Sequence, residues 1–239
     1  MDEYVTRENI TRTDFQAGAL LLVDKPEGWT SFDVVNKIRG TLRQVFNLPK
    51  NKVGHAGTLD PMATGLLLIC TGKWTKKLGE FQGLDKEYTG IMTLGATTVS
   101  YDKETPEENP EPFAHLTTAD IQNAIQKFTG EIEQKPPMYS AIKVEGKPLY
   151  KSARKGEEIE VESRRVTIHE FEITAVELPH VHFRVVSGKG TYIRSLAHDL
   201  GQMLGCGAYL SALRRTRIGM YRVADAWSIE ELVDSLMEE

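Results

Sequence analysis

The segment Gly54-His55-Ala56-Gly57-Thr58-Leu59-Asp60-Pro61-Met62-Ala63-Thr64-Gly65 concentrates the residue types from which a reactive site could be built. Three glycines and a proline in this short stretch describe a tight loop that feeds the apolar run Leu66–Cys70. Proline fixes its own φ and biases Asp60 toward an extended backbone, so the carboxylate is held rigidly. The flanking glycines allow a ligand to approach closely. Such a loop presents a fixed carboxylate to whatever binds there. Taken alone, it also reads as an ordinary Asp-Pro turn.

Other motifs lead away from common chemistries. Gly188-Lys189-Gly190-Thr191 lacks the phosphate-loop pattern, because Gly190 falls where Ser or Thr should follow the lysine. The chain has no GxGxxG, GxSxG or HExxH. Of six scattered histidines, His180 and His182 share a strand face as a possible metal pair. No third ligand lies nearby in sequence, and a pair of solvated side chains is the better reading. Cys70 and Cys206 form neither a CxxC nor a zinc spacing, which points to a reducing cytoplasm. No metal and no cofactor is expected.

The elements that must position the loop follow from periodicity. Ala19–Asp24, Leu66–Cys70 and Glu87–Leu94 read as strands. Thr30 and Ser31 are cap candidates for a helix with Phe32, Val35, Ile38, Leu42 and Val45 on one face. Thr118 is expected to cap a helix carrying Ile121, Ile125 and Phe128. Strand-like runs cover Arg165–Leu178 and Val181–Val186. A helix with Ile193, Leu196, Ala197, Leu200 and Leu204 ends at Gly205 or Gly207, and Ser228 caps a last short helix to Met237. The irregular interleaving predicts an α+β fold with a mixed, mostly antiparallel sheet flanked by helices.

The chain has 239 residues, 40% apolar and 26% charged, an ordinary globular composition. Neither Ala19–Val23 nor Leu66–Cys70 approaches the ~18 apolar residues of a membrane span. The net charge of −5 excludes a uniformly basic RNA binder. The acidity is segregated, however, into Tyr101–Pro112 and the stretch from Asp225 to Glu239. Outside those segments 28 bases face 23 acids, clustered at Lys73, Lys76, Lys77; Arg154, Lys155; Arg164, Arg165; and Arg214, Arg215, Arg217. Such clusters are either solvated faces or footprints of an anionic partner.

The Asp60 loop resembles the catalytic motif of the pseudouridine synthases, specifically the bacterial tRNA pseudouridine-55 synthase (TruB) family. The likeness runs over residues 18–225. Leu21-Leu22-Val23-Asp24-Lys25-Pro26-x-Gly28-x-x-Ser31 is similar to the family's opening motif, and Asp85-Lys86-x-Tyr88 to its second. Met138-Tyr139-Ser140-Ala141-x-Lys143, Gly146-Lys147-x-Leu149-Tyr150 and Ala153-Arg154-x-Gly156 resemble the third. Lys189-Gly190-Thr191-Tyr192-Ile193-Arg194, Gly205-Cys206-Gly207-Ala208 and Leu213-Arg214-Arg215 close the pattern. The run Thr98-Val99-Ser100-Tyr101-Asp102-Lys103-Glu104-Thr105 keeps the aspartate of the family's Thr-x-Thr-x-Asp-x-x-Gly and loses its glycine.

The resemblance implies a pseudouridine synthase fold and an isomerase that breaks a C–N glycosidic bond in the tRNA T-loop and rejoins uracil through C5. It implies that Asp60 is the obligatory carboxylate, as nucleophile or base, and that Arg194 pairs with it. Tyr88 is implied to lie against the target base and to handle the C5 proton. Tyr192 and Leu213 would line the uracil pocket, His55 would sit near the flipped nucleotide, and Lys76 would contact phosphate. The expected organisation is a polar leader over 1–16, a catalytic domain over 17–225 and a short acidic C-terminal helix over 226–239, without the family's C-terminal PUA domain. A monomer with tRNA as partner, and no membrane or protein partner, is expected. A synthase with another RNA target, or a noncatalytic RNA-binding or RNA-folding protein on the same scaffold, are the competing readings.

Overall fold

The computed structural model describes residues 4–48, 50–140, 142–144, 147–149, 153, 159 and 161–238. Of the motif residues above, Ala141, Gly146, Tyr150, Arg154 and Gly156 lie outside the described residues, as does Lys155 of one basic cluster. In chain order the strands are β1 (Leu20–Lys25), β2 (Val53–His55), β3 (Thr64–Thr71), β4 (Lys86–Leu94), β5 (Thr97–Thr98), β6 (Glu107–Glu108), β7 (Gly130–Gln134), β8 (Lys143–Val144), β9 (Lys147–Pro148), β10 (Arg164–Glu177), β11 (His180–Ser187), β12 (Ala208–Ile218) and β13 (Tyr221–Arg222). Helices among the described residues include α1 (Ser31–Val45), α2 (Leu78–Gly83), α3 (Thr118–Ile125), α4 (Ile193–Leu204) and α5 (Ile229–Met237). The chain forms two compact units, one of residues 1–88 with 214–239, the other of residues 89–213.

In the first unit β3 is the organising strand. It pairs antiparallel with β1 and β2 and parallel with the end of β12, while β13 folds back on β12. Leu21, Val23, Leu67 and Ile69 face α1 and α5, while Leu20, Leu22, Leu66, Leu68 and Cys70 face Phe81, Ile218 and Tyr221. Burial on both faces is why β1 and β3 are continuous apolar runs rather than alternating ones. Thr30 caps α1 in a reciprocal box with Asp33. The buried stripe of α1 is Ser31, Val34, Val35, Ile38, Thr41 and Leu42. Phe32 falls off that stripe and is exposed, against the expectation that it belongs to the apolar face.

Within the expected polar leader, Val5, Ile10 and Phe15 are buried in the cluster that holds α1 and α5. The Trp227 indole donates to Val5 O at 3.0 Å, and the Arg7 guanidinium lies over the Trp227 ring while forming an ion pair with Glu231. Residues on either side of Ala226 therefore pack into the same unit as β1 and β3.

The second unit has the strand order β4-β11-β10-β7, with β10 antiparallel to both of its neighbours. Helices α3 and α4 pack on each other, and α3 also packs on β10. The cap of α3 is Thr117 rather than Thr118, because Asp120 completes the box three residues after Thr117. Gly205, at φ +73°, ends α4 in the left-handed conformation that glycine tolerates. Both units thus combine strands with flanking helices, and the strand pairs are mixed and mostly antiparallel, which makes the protein α+β. Among the described residues no helix is long and apolar enough to cross a membrane.

Candidate active site

Asp60 lies in the loop between β2 and β3, and the loop is fastened at several points. Ser31 Oγ, at the first turn of α1, accepts from Leu59 N at 2.8 Å and donates to Leu59 O at 3.1 Å. Gly28 N donates to Pro61 O at 2.8 Å, and Ala63 N closes a turn onto Asp60 O at 3.1 Å. The side chains of Ala56, Leu59, Met62 and Ala63 are buried around the half-buried aspartate. Lys25 is wholly buried; its ammonium holds Trp29 O, Pro26 O and Pro61 O. The loop is therefore anchored on the residues flanking Asp60, as the Asp-Pro bias requires. Leu59 and Met62 supply the burial and the backbone supplies the bonds.

The first unit also holds His55, Lys76 and Tyr88. His55 ends β2 opposite Ile69, half-buried, with its Nδ1 buried. Burial lowers its pKa, and the nearby Arg215 guanidinium lowers it further, so the ring is neutral at pH 7. Lys76 is exposed on the 3-10 segment Gly72–Lys77. Tyr88 is buried on β4, and the residues before it are fixed in place: Gly219 N donates to Asp85 O, and the Thr216 hydroxyl bonds Glu87 O and its carboxylate. Between them Lys86 is buried and donates to Gln82 O and Leu84 O; burial, then Arg215, pushes its pKa down to about 8.

Arg194, Tyr192 and Leu213 belong to the second unit. Arg194 stands in the first turn of α4, 4% exposed. Its Nη1 donates to Ser100 O at 3.0 Å and its Nη2 to Tyr139 O at 2.9 Å, while Nε lies 3.5 Å from Asp102 Oδ2. Asp102 is itself buried and accepts from Ser100 Oγ and from Glu104 N. One turn further along α4, His198 stacks on Tyr101 with ring centroids 3.8 Å apart. Tyr101 has φ +64°, a conformation that disfavours a bulky side chain, so the stack secures a strained turn. Tyr192 begins α4 with its backbone N and O both bonded to the Gln134 amide, and the Arg164 guanidinium covers its ring at 4.7 Å. Leu213 is buried on β12.

The sequence points to Arg194 but not to its carboxylate within the unit, Asp102, nor to the roles of Gln134 and Arg164. The retained aspartate in the Thr98–Thr105 run is the available signal for Asp102. Among the described residues no group of three or more His, Cys, Asp or Glu side chains is placed to hold a metal ion. His180 instead bonds the Thr93 hydroxyl through Nδ1 at 3.2 Å. Both cysteines are buried and in no disulfide.

Asp199, next to His198, has its pKa raised by burial to about 6. The folded state then binds its proton more tightly than the unfolded chain. The resulting stability is fully present below about pH 4 and is lost as pH rises through about 6. Asp199→Asn should stabilise the protein at pH 8 by about 1–2 kcal/mol, a figure reduced for the partial exposure of the carboxyl, and leave stability unchanged at pH 4. Thermal unfolding followed by circular dichroism at the two pH values checks this.

Residues 43–193 match the TruB family pseudouridylate synthase (N terminal domain), and residues 194–239 match the tRNA pseudouridylate synthase B C-terminal domain. A tRNA pseudouridine synthase B of Flavobacterium johnsoniae is 54% identical over 228 residues, covering 95% of this chain and all of that protein. The protein of the same name from Chlorobium luteolum is 52% identical and covers 90% of this chain and 74% of its own. Among solved structures, a Cbf5-Nop10-Gar1 complex is similar at a TM-score of 0.70 and 30% identity, covering 98% of this chain and 59% of that one. An H/ACA RNP bound to a substrate RNA containing 2'-deoxyuridine is similar at a TM-score of 0.68 and 29% identity, covering 98% of this chain and 58% of that one.

Proposed function

The chain belongs to the TruB family of pseudouridylate synthases, and we propose that it acts on the uridine at position 55 in the tRNA T-loop. It is an isomerase that converts uridine in tRNA to pseudouridine. The observation that carries the finer reading is the rigidly fastened loop that presents Asp60, in a chain about half identical to relatives named tRNA pseudouridine synthase B.

The reaction breaks C1′–N1, turns the uracil over, forms C1′–C5, releases the C5 proton and protonates N1. Atoms and electrons balance within the nucleotide, so the isomerisation itself consumes no co-reactant. A base in a folded loop must first leave its stack, at a cost of a few kcal/mol. Asp60 then serves as nucleophile toward the ribose or base, or as base toward a ribose proton. Arg194 is the arginine assigned to the reaction, and Asp102 with the carbonyls of Ser100 and Tyr139 fixes its guanidinium. Tyr88 lies against the base and carries the C5 proton away. Tyr192 and Leu213 line the uracil site, the neutral His55 stands by the flipped nucleotide, and Lys76 meets a phosphate. Two buried cysteines outside any disulfide suit a reducing cytoplasm.

The test is positional. An unmodified tRNA transcript is treated with the protein, labelled with carbodiimide at pseudouridine and read by primer extension. A single new stop at position 55 is expected. A stop elsewhere, or modification of another RNA in preference to tRNA, would overturn the position-55 assignment.

A further inference from the structure

Arg215 is 1% exposed in the first unit, and its bonds go to main-chain carbonyls rather than to an acid. Its Nε donates to Leu66 O at 2.7 Å and its Nη2 to Gly57 O at 3.1 Å. Among the described residues it forms no ion pair. It lies near the buried Lys86 ammonium and the His55 ring, and its charge adds to burial in lowering both pKa values. A guanidinium buried without a counter-ion is a poor way to stabilise a core. Its placement asks for another reason.

The two carbonyls bracket Asp60, one three residues before it and the other six after. The Arg215 main chain grips the same segment. Parallel pairing sets Arg215 against Gly65, and a side-chain carbon at Gly65 would fall 2.3 Å from Arg215 O. Gly65, at φ +105°, thus permits the close approach. The fork of one guanidinium spans both ends of the loop, which a single-point donor cannot do.

We propose that Arg215 is a positioning residue for the reaction, clipping the two ends of the Asp60 loop so that the carboxylate is held in one geometry. The proposal rests on the reading of Asp60 as the reacting carboxylate. It locates the rigidity of the loop in a residue far away in sequence, on β12, and gives the Leu213-Arg214-Arg215 run a task beyond lining the uracil site.

The experiment compares the parent, Asp60→Asn, Arg215→Met and Arg215→Lys on unmodified tRNA, with kcat and KM referred to the folded fraction measured by circular dichroism. Arg215→Met should lower kcat by about 100-fold, the penalty of a misplacement near 1 Å, with KM within about 3-fold of the parent. Arg215→Lys keeps charge and length but bonds one carbonyl, and should recover part of the loss, to within about 10-fold of the parent. Proportional loss of activity and folded fraction, with kcat per folded molecule unchanged, would overturn the proposal and leave Arg215 a structural residue. If Arg215→Met does not fold, the lysine variant decides: parental kcat, or failure to fold, counts against the proposal. An inactive parent, or an active Asp60→Asn, would instead sink the underlying reading.

Discussion

Asp60→Asn should abolish turnover, lowering kcat by about 10⁴-fold or more, while tRNA binding stays within about 2-fold of the parent. Asparagine keeps the size of aspartate and loses its charge and its capacity as nucleophile or base. Bonds that hold the loop run through its main chain. Ser31 Oγ grips the Leu59 main chain, Gly28 N and Lys25 grip Pro61 O, and the Ala63 turn closes on the Asp60 carbonyl. The variant therefore keeps its loop, and the loss of rate reports the carboxylate itself. Single-turnover kinetics and filter binding separate the two effects. Substantial turnover by the variant would remove Asp60 from the chemistry.

Replacing Arg194 has the next largest consequence, and it falls on stability as well as on rate. In Arg194→Met the carbonyls of Ser100 and Tyr139 lose their donors and the buried Asp102 loses its cation. Removing one partner of a buried pair costs roughly 3–5 kcal/mol, because a charge is left uncompensated. Arg194 is also proposed to serve the reaction, so kcat per folded molecule should fall by about 10³-fold, the scale of removing a preorganised electrostatic partner. The double variant Arg194→Met with Asp102→Asn relieves the stranded carboxylate, and should regain stability without regaining turnover. Urea unfolding gives the first quantity and single-turnover kinetics the second. Recovery of both together would make Arg194 purely architectural.

The parts of the fold that are legible in the sequence are those with one dominant environment. β1 and β3 are buried on both faces, so their apolar runs are unbroken, and the Thr30–Asp33 and Ser228 caps stand at the edges of clear helical stripes. β12 leaves no such mark. Its residues 208–218 include Arg214, Arg215 and Arg217, and the buried Arg215 breaks the apolar pattern of a core strand. β7 is likewise hidden by Glu131 and Glu133, which face outward from an edge strand. The residues 1–16 look polar because Val5, Ile10 and Phe15 are spaced too widely to form a run, yet all three are buried.

The same contrast holds for the site. Asp60, Tyr88 and Arg194 are proposed from the local motifs that carry them. Residues that bond these segments lie far off in sequence: Asp102 for Arg194, Gln134 for Tyr192, and Arg215 for the Gly57 and Leu66 carbonyls on either side of Asp60. Their bonds are largely to the main chain, which no local sequence pattern announces.

The most direct test of the isomerisation uses tRNA transcribed with tritium at uridine C5, mixed with the protein without metal or methyl donor. Moving the glycosidic bond to C5 must expel that hydrogen. Stoichiometric release of tritium to water by the parent, and none by Asp60→Asn, is the predicted result. Failure of a folded, tRNA-binding protein to release tritium would contradict the account.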